Sequence, residues 1–378
     1  MLPADPRALF EIPDDIAYFN CASIGPLPRA ARAAIEEGAA RRTQPWRVTM
    51  KHWIDDYEER RSLFAAIAGV ASDAIALIPS VSYGVAVAAR NLDAAPGRQV
   101  LLLAEDFPSN VYTWRAFAAE KGCGILTVSR PAGGTWTNAV LAALDERVAV
   151  VAVPNVQWTD GALLDLVRVG ARAREVGSAL VVDASQSLGV MPLDLAAIRP
   201  DFLIAVGYKW LLGPYGLAYL YADEKYWDGV PLEQNWLSRQ GSEDFSSLVD
   251  YRDEYRPGAR RFDMGERSAL EMNNAGVESL RLLNEWGAAS IAERLAARTA
   301  RIEAEAKSLG LNISSAPARG PHLLGIELSR EAAVQAFATL RARGVYVAFR
   351  GNAIRIATHV YNDDADVERL VEALAALR

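Results

Sequence analysis

A single lysine, Lys209, lies in a segment that is otherwise almost wholly apolar, aromatic or glycine: FLIAVGYKWLLGPYGLAYLYA, residues 202–222. A lysine at the end of a strand can bury its aliphatic stem and keep its ammonium group in water. A desolvated amine instead has a lowered pKa, and it can act as a nucleophile that forms a Schiff base with a carbonyl compound. The other polar groups near Lys209 in the fold decide between these interpretations.

Two further segments carry polar groups of the same kind. In VVDASQS, Asp183 ends an apolar strand and Gln186 follows three residues later. The carboxylate fits two roles: it can cap the next helix, or it can keep the ring nitrogen of a pyridinium cofactor protonated. In IPSVSYG, Val81 and Ser82 begin a predicted helix, where free N–H groups and a hydroxyl form an anion site. An ordinary serine cap would have the same sequence.

The elements that must position these groups are strands alternating with helical segments. The apolar runs lie at 74–80, 99–106, 147–155, 178–185, 201–207 and 216–222. This alternation predicts a doubly wound α/β domain with a mainly parallel sheet that is covered on both faces. Ligands bind at the carboxyl ends of the strands in such sheets. The segments IPSVSYG, AEDFPSN, VVDASQS and VGYKW all fall at such ends.

After about residue 260 the pattern changes to a long helix followed by alternating strands and helices, which predicts a separate α+β domain. We therefore expect three parts in the chain. An N-terminal segment at 1–25 packs with the small domain, a large domain covers 26–260, and a small C-terminal domain covers 261–378.

Composition and charge exclude several classes of function. The chain has 378 residues and a formal net charge of −7, without a run of lysine and arginine, so we expect no nucleic-acid partner. No apolar stretch is long enough for a membrane span, and no signal peptide is evident, which predicts a cytoplasmic protein without a membrane partner. The two cysteines and three histidines lack the spacing of a disulfide framework or a metal site.

Taken together, these motifs resemble a known family. An aspartate with a glutamine three residues on, a strand that leads to a lysine, and the turn GPYG at 213–216 are similar to the class V aminotransferase and cysteine desulfurase family. These are fold-type I enzymes that use pyridoxal 5′-phosphate (PLP). The resemblance extends from AYFNCASIGPLP near the N-terminus to IRIATHVYN near the C-terminus. It implies a homodimer with the site at the subunit interface, to which the helices at 29–69 contribute.

The resemblance assigns roles to residues of this chain that match the family motifs. Lys209 matches the lysine that forms the Schiff base with PLP, and Asp183 matches the partner of the pyridine nitrogen. Gln186 matches the glutamine near the phenolic oxygen of the ring. Val81 and Ser82 fall where the family binds the phosphate.

The chain departs from the family pattern at several positions around the cofactor. Phe107 stands where the family often stacks a histidine on the ring, and Trp158 stands in place of the usual asparagine. Tyr208 replaces a common histidine, and Val206 replaces a phosphate-binding serine. Phenylalanine can stack on a ring but cannot act as an acid or base. We expect a more aromatic site with a redistributed set of phosphate contacts.

A further departure lies in RRFDMGERS, which resembles the segment that reaches into the neighbouring subunit's site in family dimers. Gly265 and Glu266 stand where that segment usually has Gly-Thr. Arg261 and Tyr208 are the candidates that could supply the missing phosphate contact.

Two arginines near the C-terminus are candidates for binding a substrate carboxylate. Arg355 in AIRIATHVYN matches the carboxylate-binding arginine of the family, and Arg350 in AFRGN is a second candidate. A guanidinium group holds a carboxylate in a bidentate fork. Both residues adjoin apolar strand residues, which argues against the alternative of a solvated surface arginine.

These assignments predict a PLP-dependent aminotransferase that acts on a small amino acid or amine, with a 2-oxo acid as acceptor. Removal of sulfur through a persulfide is disfavoured, because no cysteine precedes Arg355 on its loop. The alternatives are a C–S or selenocysteine-type lyase, or an enzyme like isopenicillin N epimerase. A catalytically degenerate binding protein would have no need of Lys209 and Asp183 together. A nicotinamide enzyme would need a G-x-G-x-x-G fingerprint, which is absent.

Overall fold

The computed structural model of the protein describes residues 2–130, 134–267, 269–313, 319–350 and 353–377. The α-helices in these ranges are α1 (Arg29–Arg42), α2 (Asp56–Ala68), α3 (Val81–Asn91), α4 (Ser109–Lys121), α5 (Trp136–Ala143), α6 (Leu166–Glu175), α7 (Leu195–Ile198), α8 (Leu270–Trp286), α9 (Ala288–Ser308), α10 (Arg330–Ala342) and α11 (Asp364–Ala375). The strands are β1 (Ala17–Tyr18), β2 (Ile75–Ile78), β3 (Gln99–Leu103), β4 (Gly124–Val128), β5 (Val148–Pro154), β6 (Ala179–Asp183), β7 (Phe202–Val206), β8 (Ala218–Ala222), β9 (Asn312–Ile313), β10 (Leu323–Glu327), β11 (Val345–Tyr346), β12 (Ala348–Arg350) and β13 (Ala353–Ala357).

The largest sheet has seven strands in the order β2-β8-β7-β6-β5-β3-β4. Strand β8 runs antiparallel to both of its neighbours, β2 and β7, and the other pairs are parallel. The prediction of a mainly parallel doubly wound sheet is therefore confirmed. The six predicted strands are all present. Strand β4 was not predicted. It is an edge strand in which only Val128 is buried, and such a half-exposed strand lacks a continuous apolar run.

Both faces of this sheet are covered, and alternate strand residues serve opposite cores. On β2, for example, Ile75 and Leu77 join the core under α2, α6 and α8, whereas Ala76 and Ile78 join the core under α3 and α4. This follows from the two-residue period of a strand. Each fully buried aliphatic side chain of this size contributes roughly 1.5–3 kcal/mol. The two cores therefore hold the sheet in place from both faces.

Two helices differ from the sequence-based expectation. The segment ALLDLVRVGARAREVG at 162–177 has helical spacing, but its helix begins at Leu166, because the Asp165 side chain accepts from the Arg168 N–H and caps it there. Helix α8 was not predicted, because its buried side includes Asn273, Gly276 and Ser279 and so lacks a clean apolar stripe.

The C-terminal part is built on a four-stranded sheet in the order β12-β13-β10-β9, with α9, α10 and α11 packed beside it. This confirms an α+β arrangement after the large sheet. The N-terminal strand β1 pairs in parallel with β11, and Asn20 bridges to Ala357 at the end of β13. The proposed boundaries at 1–25, 26–260 and 261–378 stay a prediction.

The arrangement brings the carboxyl ends of β2, β3, β6 and β7 to one edge of the large sheet, as expected from the sequence. The segments that follow these strands carry the candidate site residues. None of the helices within the described ranges is both long and apolar enough to cross a membrane.

Candidate active site

A cavity of about 220 Å³ lies at this edge of the sheet. All eight residues that the sequence analysis assigned to the cofactor line it: Val81, Ser82, Phe107, Trp158, Asp183, Gln186, Tyr208 and Lys209. They come from segments that are far apart in the chain. The sheet therefore assembles all of the predicted cofactor-binding residues at one place.

Lys209 is the amine of this cavity. Its side chain is only 7% exposed, which contradicts the interpretation of an ammonium that reaches into water. Burial lowers the pKa of Lys209 to about 8, against the opposing effect of the Asp183 carboxylate. The Nζ atom lies 5.4 Å from the ring centre of Phe107 and 5.7 Å from that of Tyr208. The amine is thus neutral in a large share of molecules near pH 8, which is the form that attacks a carbonyl carbon.

The backbone of Lys209 is held by the N-terminal segment. The Gly25 N–H donates to the Tyr208 carbonyl at 2.8 Å, and the thiol of Cys21 contacts the Lys209 carbonyl at 3.6 Å. The approach is so close that a Cβ at Gly25 would collide with the Lys209 carbonyl oxygen. A side chain at position 25 would therefore displace the lysine.

Asp183 is a buried carboxylate on the floor of the cavity. The Ser185 N–H donates to its Oδ1 atom at 2.9 Å, and the Asn110 amide donates to its Oδ2 atom at 3.2 Å. Burial raises the pKa of Asp183, while the bonds from Ser185 and the charge of Lys209 lower it in part. The two interpretations of Asp183 are compatible, because one oxygen caps the following turn and the carboxylate still lines the cavity.

A second carboxyl group in the cavity, Asp106, was missed by the sequence analysis. Its Oδ1 atom accepts from the Phe107 N–H at 2.6 Å, and its buried Oδ2 atom has no hydrogen-bond partner among the described residues. Burial and the nearby Asp183 charge raise the pKa of Asp106 to about 7. The available signal was an acidic residue just after a buried strand in AEDFPSN, where only Phe107 was assigned a role.

The start of α3 offers an anion site. The first N–H groups of a helix lack intrahelical acceptors, and those of Val81 and Ser82 belong to this set. Ser80, which was not predicted, caps the helix by accepting from the Tyr83 N–H at 3.2 Å, and its hydroxyl lies 3.0 Å from that of Ser82. Two hydroxyls and a helix start fit a phosphate group. The predicted phosphate contact from Arg261 is not at this helix start, because its guanidinium donates to Asp228 and to the Gly229 carbonyl.

Aromatic rings form the walls of the cavity. Phe107 and Trp158 meet edge to face with their ring centres 5.6 Å apart, and the Trp158 indole donates to the Glu105 carbonyl at 2.8 Å. Tyr208 packs against Tyr215 with ring centres 4.5 Å apart. These walls suit a flat aromatic ring between them.

Gln186 has most of its amide committed to the protein. Its Oε1 atom accepts from the Trp210 indole at 2.8 Å, and its Nε2 atom donates to the Ala22 carbonyl at 3.2 Å. The backbone carbonyl of Gln186 also contacts the His322 ring at 2.6 Å. One N–H of the amide is left for the cavity, which is the donor that the predicted role near the phenolic oxygen requires.

Arg355 and Arg350 lie behind Trp158 rather than in the wall of the cavity. Arg355 is 1% exposed and donates to the Trp158 carbonyl at 2.7 Å and to the Ser23 hydroxyl at 2.6 Å. Arg350 donates to the same hydroxyl at 3.3 Å, and its guanidinium lies 5.6 Å from the Trp158 ring centre. Burial and the charge of Arg350 lower the pKa of Arg355 to about 9. Ser23 and Asn20, which lies 3.4 Å from Arg355, were not predicted.

The donor set fits PLP. A buried amine of lowered pKa, a buried carboxylate, a helix start with two hydroxyls and flat aromatic walls match an aldehyde, a ring nitrogen, a phosphate and a pyridine ring. Lys209, Asp183, Ser82 and Phe107 are the residues that would hold these four parts.

Comparisons with known proteins give a consistent result. An uncharacterized aminotransferase of Bacillus subtilis (strain 168), YcbU, is 28% identical over 327 residues, covering 86% of this chain and 85% of the relative. Isopenicillin N epimerase of Amycolatopsis lactamdurans is 25% identical over 406 aligned positions, which cover 99% of this chain and 98% of the relative. The fold also matches C-DES, a cystine C–S lyase that was solved as a lysine-to-alanine mutant with glycine covalently linked to PLP. The TM-score is 0.85 at 20% identity, and the match covers 95% of this chain and 96% of C-DES.

The model of the aminotransferase class-V family matches residues 34–370, which is most of the chain. This match confirms the resemblance seen in the motifs. The chain belongs to the aminotransferase class-V family, and it is a PLP-dependent enzyme of the aminotransferase-like type.

Proposed function

We propose that the protein is an aminotransferase that moves an amino group from a small amino acid or amine to a 2-oxo acid. The observation that carries the proposal is the pairing of one buried, easily neutralised amine, Lys209, with wall residues that do not titrate, Phe107 and Trp158. Transamination needs one acid–base group that moves a proton between two carbon atoms on the same face of the bound substrate. Lys209 is that group.

When bound, PLP supplies an electron sink that stabilises negative charge on the substrate carbon. Lys209 takes a proton at Nζ and returns it, a role that its lowered pKa of about 8 suits at neutral pH. Asp183, held by Ser185 and Asn110, keeps a proton on the ring nitrogen. The Phe107 and Trp158 rings pack against each other and give the cavity an apolar wall.

Two features favour transamination over epimerisation and over removal of sulfur through a persulfide. Inversion by two bases would need a second titrating group opposite Lys209. Phe107 occupies the family's usual histidine position, and another titrating group of the cavity, Asp106, is bonded to the Phe107 N–H and lies near Asp183. Removal of sulfur through a persulfide would need a reactive thiolate. Cys21 is fully buried, and burial raises its thiol pKa well above the ordinary value, which keeps it a thiol.

The decisive experiment follows a nitrogen label. The PLP-loaded protein is incubated with single 15N-labelled amino acids together with pyruvate or 2-oxoglutarate, and the products are identified by NMR and chiral chromatography. We expect the label on a new amino acid derived from the acceptor. Label released as ammonium would contradict the proposal in favour of elimination, and label retained on a donor of inverted configuration would contradict it in favour of epimerisation.

We further propose that the enzyme is a homodimer. Large apolar side chains lie exposed on the single chain, with Trp46 79% and Tyr251 95% exposed, and Trp46 follows α1 within the region predicted to form the interface, 29–69. Exposed apolar surface of this kind is typical of interfaces. Sedimentation equilibrium should give twice the chain mass of 41.0 kDa, and a monomer with full activity would contradict the proposal.

A further inference from the structure

Two guanidinium groups converge on one hydroxyl beside the active site. Arg355 and Arg350 come from the neighbouring strands β13 and β12, and each donates from its Nη2 atom to the Ser23 Oγ atom, at 2.6 and 3.3 Å. Two nitrogens bonded to one oxygen at these distances lie at most about 6 Å apart. Ser23 is itself neutral, so it orients both cations without compensating either charge.

Neither cation has a negative partner in the described part of the chain. The remaining hydrogen bonds of Arg355 go to the Trp158 carbonyl and the Asn20 side-chain oxygen, and that of Arg350 goes to the Phe349 carbonyl. Burial lowers the pKa of both arginines, and for Arg355 the charge of Arg350 adds to this effect. A buried charge without a counter-ion is unfavourable. The pair is therefore built to receive negative charge from a ligand.

The cofactor does not supply this charge. Its phosphate fits the start of α3, at Ser82, and neither arginine lines that cavity. A single substrate carboxylate would compensate only one of the two cations. A second anionic group of the ligand would compensate the other cation.

The surroundings of Arg350 show where that group would lie. Arg350 lines a separate cavity of about 560 Å³, together with Thr159 and Asp160, which follow Trp158 in the chain. Two acidic residues of this cavity, Glu105 and Asp160, are both engaged by Arg130, at 3.3 and 2.6 Å. The third acidic residue that lines this cavity, Glu327, is exposed. Arg350 is left as the cation of this cavity without an ion pair among the residues described.

We infer that the substrate is an amino acid with an acidic side chain, whose α-carboxylate is bound by Arg355 and whose second anionic group is bound by Arg350. The inference rests on the proposed function and names its substrate class. A carboxylate, a sulfonate or a phosphate carries the required charge, and a guanidinium fork binds each of them. Ser23 positions the two guanidinium groups for this double contact.

The first test compares matched donors on the PLP-loaded enzyme. Aspartate and glutamate are set against asparagine and glutamine, and cysteic acid and O-phosphoserine are each set against serine, with pyruvate as acceptor. We expect kcat/KM to favour the acidic member of each pair by about 10- to 100-fold, since a hydrogen-bonded charge pair contributes that much. The preferred acidic donor identifies whether the second group is a carboxylate, a sulfonate or a phosphate. Equal or better use of the neutral donors would overturn the inference.

Variants of Arg350 locate the effect. Arg350→Gln should reduce the acidic-to-neutral ratio of kcat/KM by about 10- to 100-fold, mainly through KM, and Arg350→Lys should restore part of it. Arg168, an exposed arginine on α6, provides the matched control, and Arg168→Gln should leave the ratio unchanged. An equal loss for acidic and neutral donors would show that both arginines hold one carboxylate, which contradicts the inference.

Equilibrium binding separates this inference from the proposed function. Quenching of tryptophan fluorescence measures the Kd of succinate and glutarate against butyrate, with the PLP-loaded enzyme. If no donor transfers nitrogen but the dicarboxylates bind about 10-fold more tightly than butyrate, the transamination proposal fails and the acidic-ligand inference holds. Equal affinity for mono- and dicarboxylates in the native protein, unchanged by Arg350→Gln, overturns the inference whatever the reaction.

Discussion

Two groups of buried charges in this molecule differ in how they are compensated. The first lies between α2 and β2, where Arg61 donates to both oxygens of Asp263 at 2.9 and 2.7 Å. Asp263 also accepts from the Leu77 N–H at 2.8 Å. Burial alone would lower the pKa of Arg61, but Asp263 and Glu58 raise it above its ordinary value. Each charge of this pair is compensated by another charged residue of the chain.

The second group is in the active site, where the pKa shifts have the opposite direction. Burial lowers the pKa of Lys209 to about 8 and that of Arg355 to about 9, because the chain supplies too little negative charge there. A lowered pKa alone does not separate the groups, because burial also lowers the pKa of Arg267, which pairs with Asp263. Lys209 and Arg355 in addition have no ion pair among the described residues, and this difference from Arg61 indicates which charges serve the fold and which serve a ligand. Removing a compensated charge should cost stability, whereas removing an uncompensated one should cost activity.

The largest expected effect is at Lys209. Lys209→Ala removes the group that moves the proton, so kcat should fall on the order of 10⁴-fold. Unfolding by urea without cofactor should show no loss of stability, because the lost amine was desolvated. Lys307→Ala, at an exposed lysine of α9, is the control and should keep its activity. A loss of activity below about 10-fold at position 209 would contradict the assignment.

Asp263→Ala tests the compensated group. It removes the two-bond partner of Arg61, which keeps only Glu58, and it leaves the Leu77 N–H without its acceptor. We expect the free energy of unfolding to fall by about 3–5 kcal/mol. Asp228→Ala is the matched control, because this aspartate pairs with Arg261 at the surface and such pairs contribute little. Urea denaturation measures both. Equal stability of the two variants would remove the distinction between the two groups of charges.

Asp106 belongs to the active-site group but carries the opposite charge, so its pH dependence sharpens the comparison. Its pKa is raised from an ordinary value near 4 to about 7, so the folded state binds the proton more tightly than the unfolded state. Its contribution to stability is present below about pH 4 and is lost as the pH rises through 7.

Asp106→Asn keeps the oxygen that accepts from Phe107 and removes this titration. The variant should gain stability over the native protein between pH 5 and pH 8, by roughly 2–4 kcal/mol at the upper end. Urea unfolding of the cofactor-free proteins at both pH values gives the difference. A difference that stays constant with pH would show that Asp106 is ionised throughout.

The same division explains what could be predicted from the sequence. Lys209 and Asp183 were identifiable because each is a lone polar residue at the end of an apolar strand, and strand ends meet at one edge of a parallel sheet. Six strands of the large sheet followed from continuous apolar runs. The edge strand β4 and helix α8 did not, because each lacks the burial pattern that local periodicity detects.

The arginine end of the site was only half predictable. Arg355 and Arg350 were recognised as candidates, but their orientation depends on Ser23 and Asn20, more than 300 residues away in sequence. That contact exists because the N-terminal segment bridges to the end of β13. No local pattern encodes such a pairing, and no residue type alone shows that a guanidinium lacks a counter-ion.

The smallest expected effect concerns an uncharged wall of the active site, Phe107. Phe107→Leu removes the edge-to-face contact with Trp158, which is worth about 0.5–1.5 kcal/mol, so the Kd of PLP should rise by at most about 10-fold. The pH dependence of kcat should stay the same, because phenylalanine does not titrate. Phe245→Leu, at a half-exposed ring outside the cavity, is the control. Fluorescence titration with PLP measures the affinity. A loss of PLP affinity beyond about 100-fold, or a shifted pH profile, would show that Phe107 also sets the charge state of its neighbours Lys209 and Asp106. The neutral wall residues and the uncompensated charges could then not be treated as separate groups.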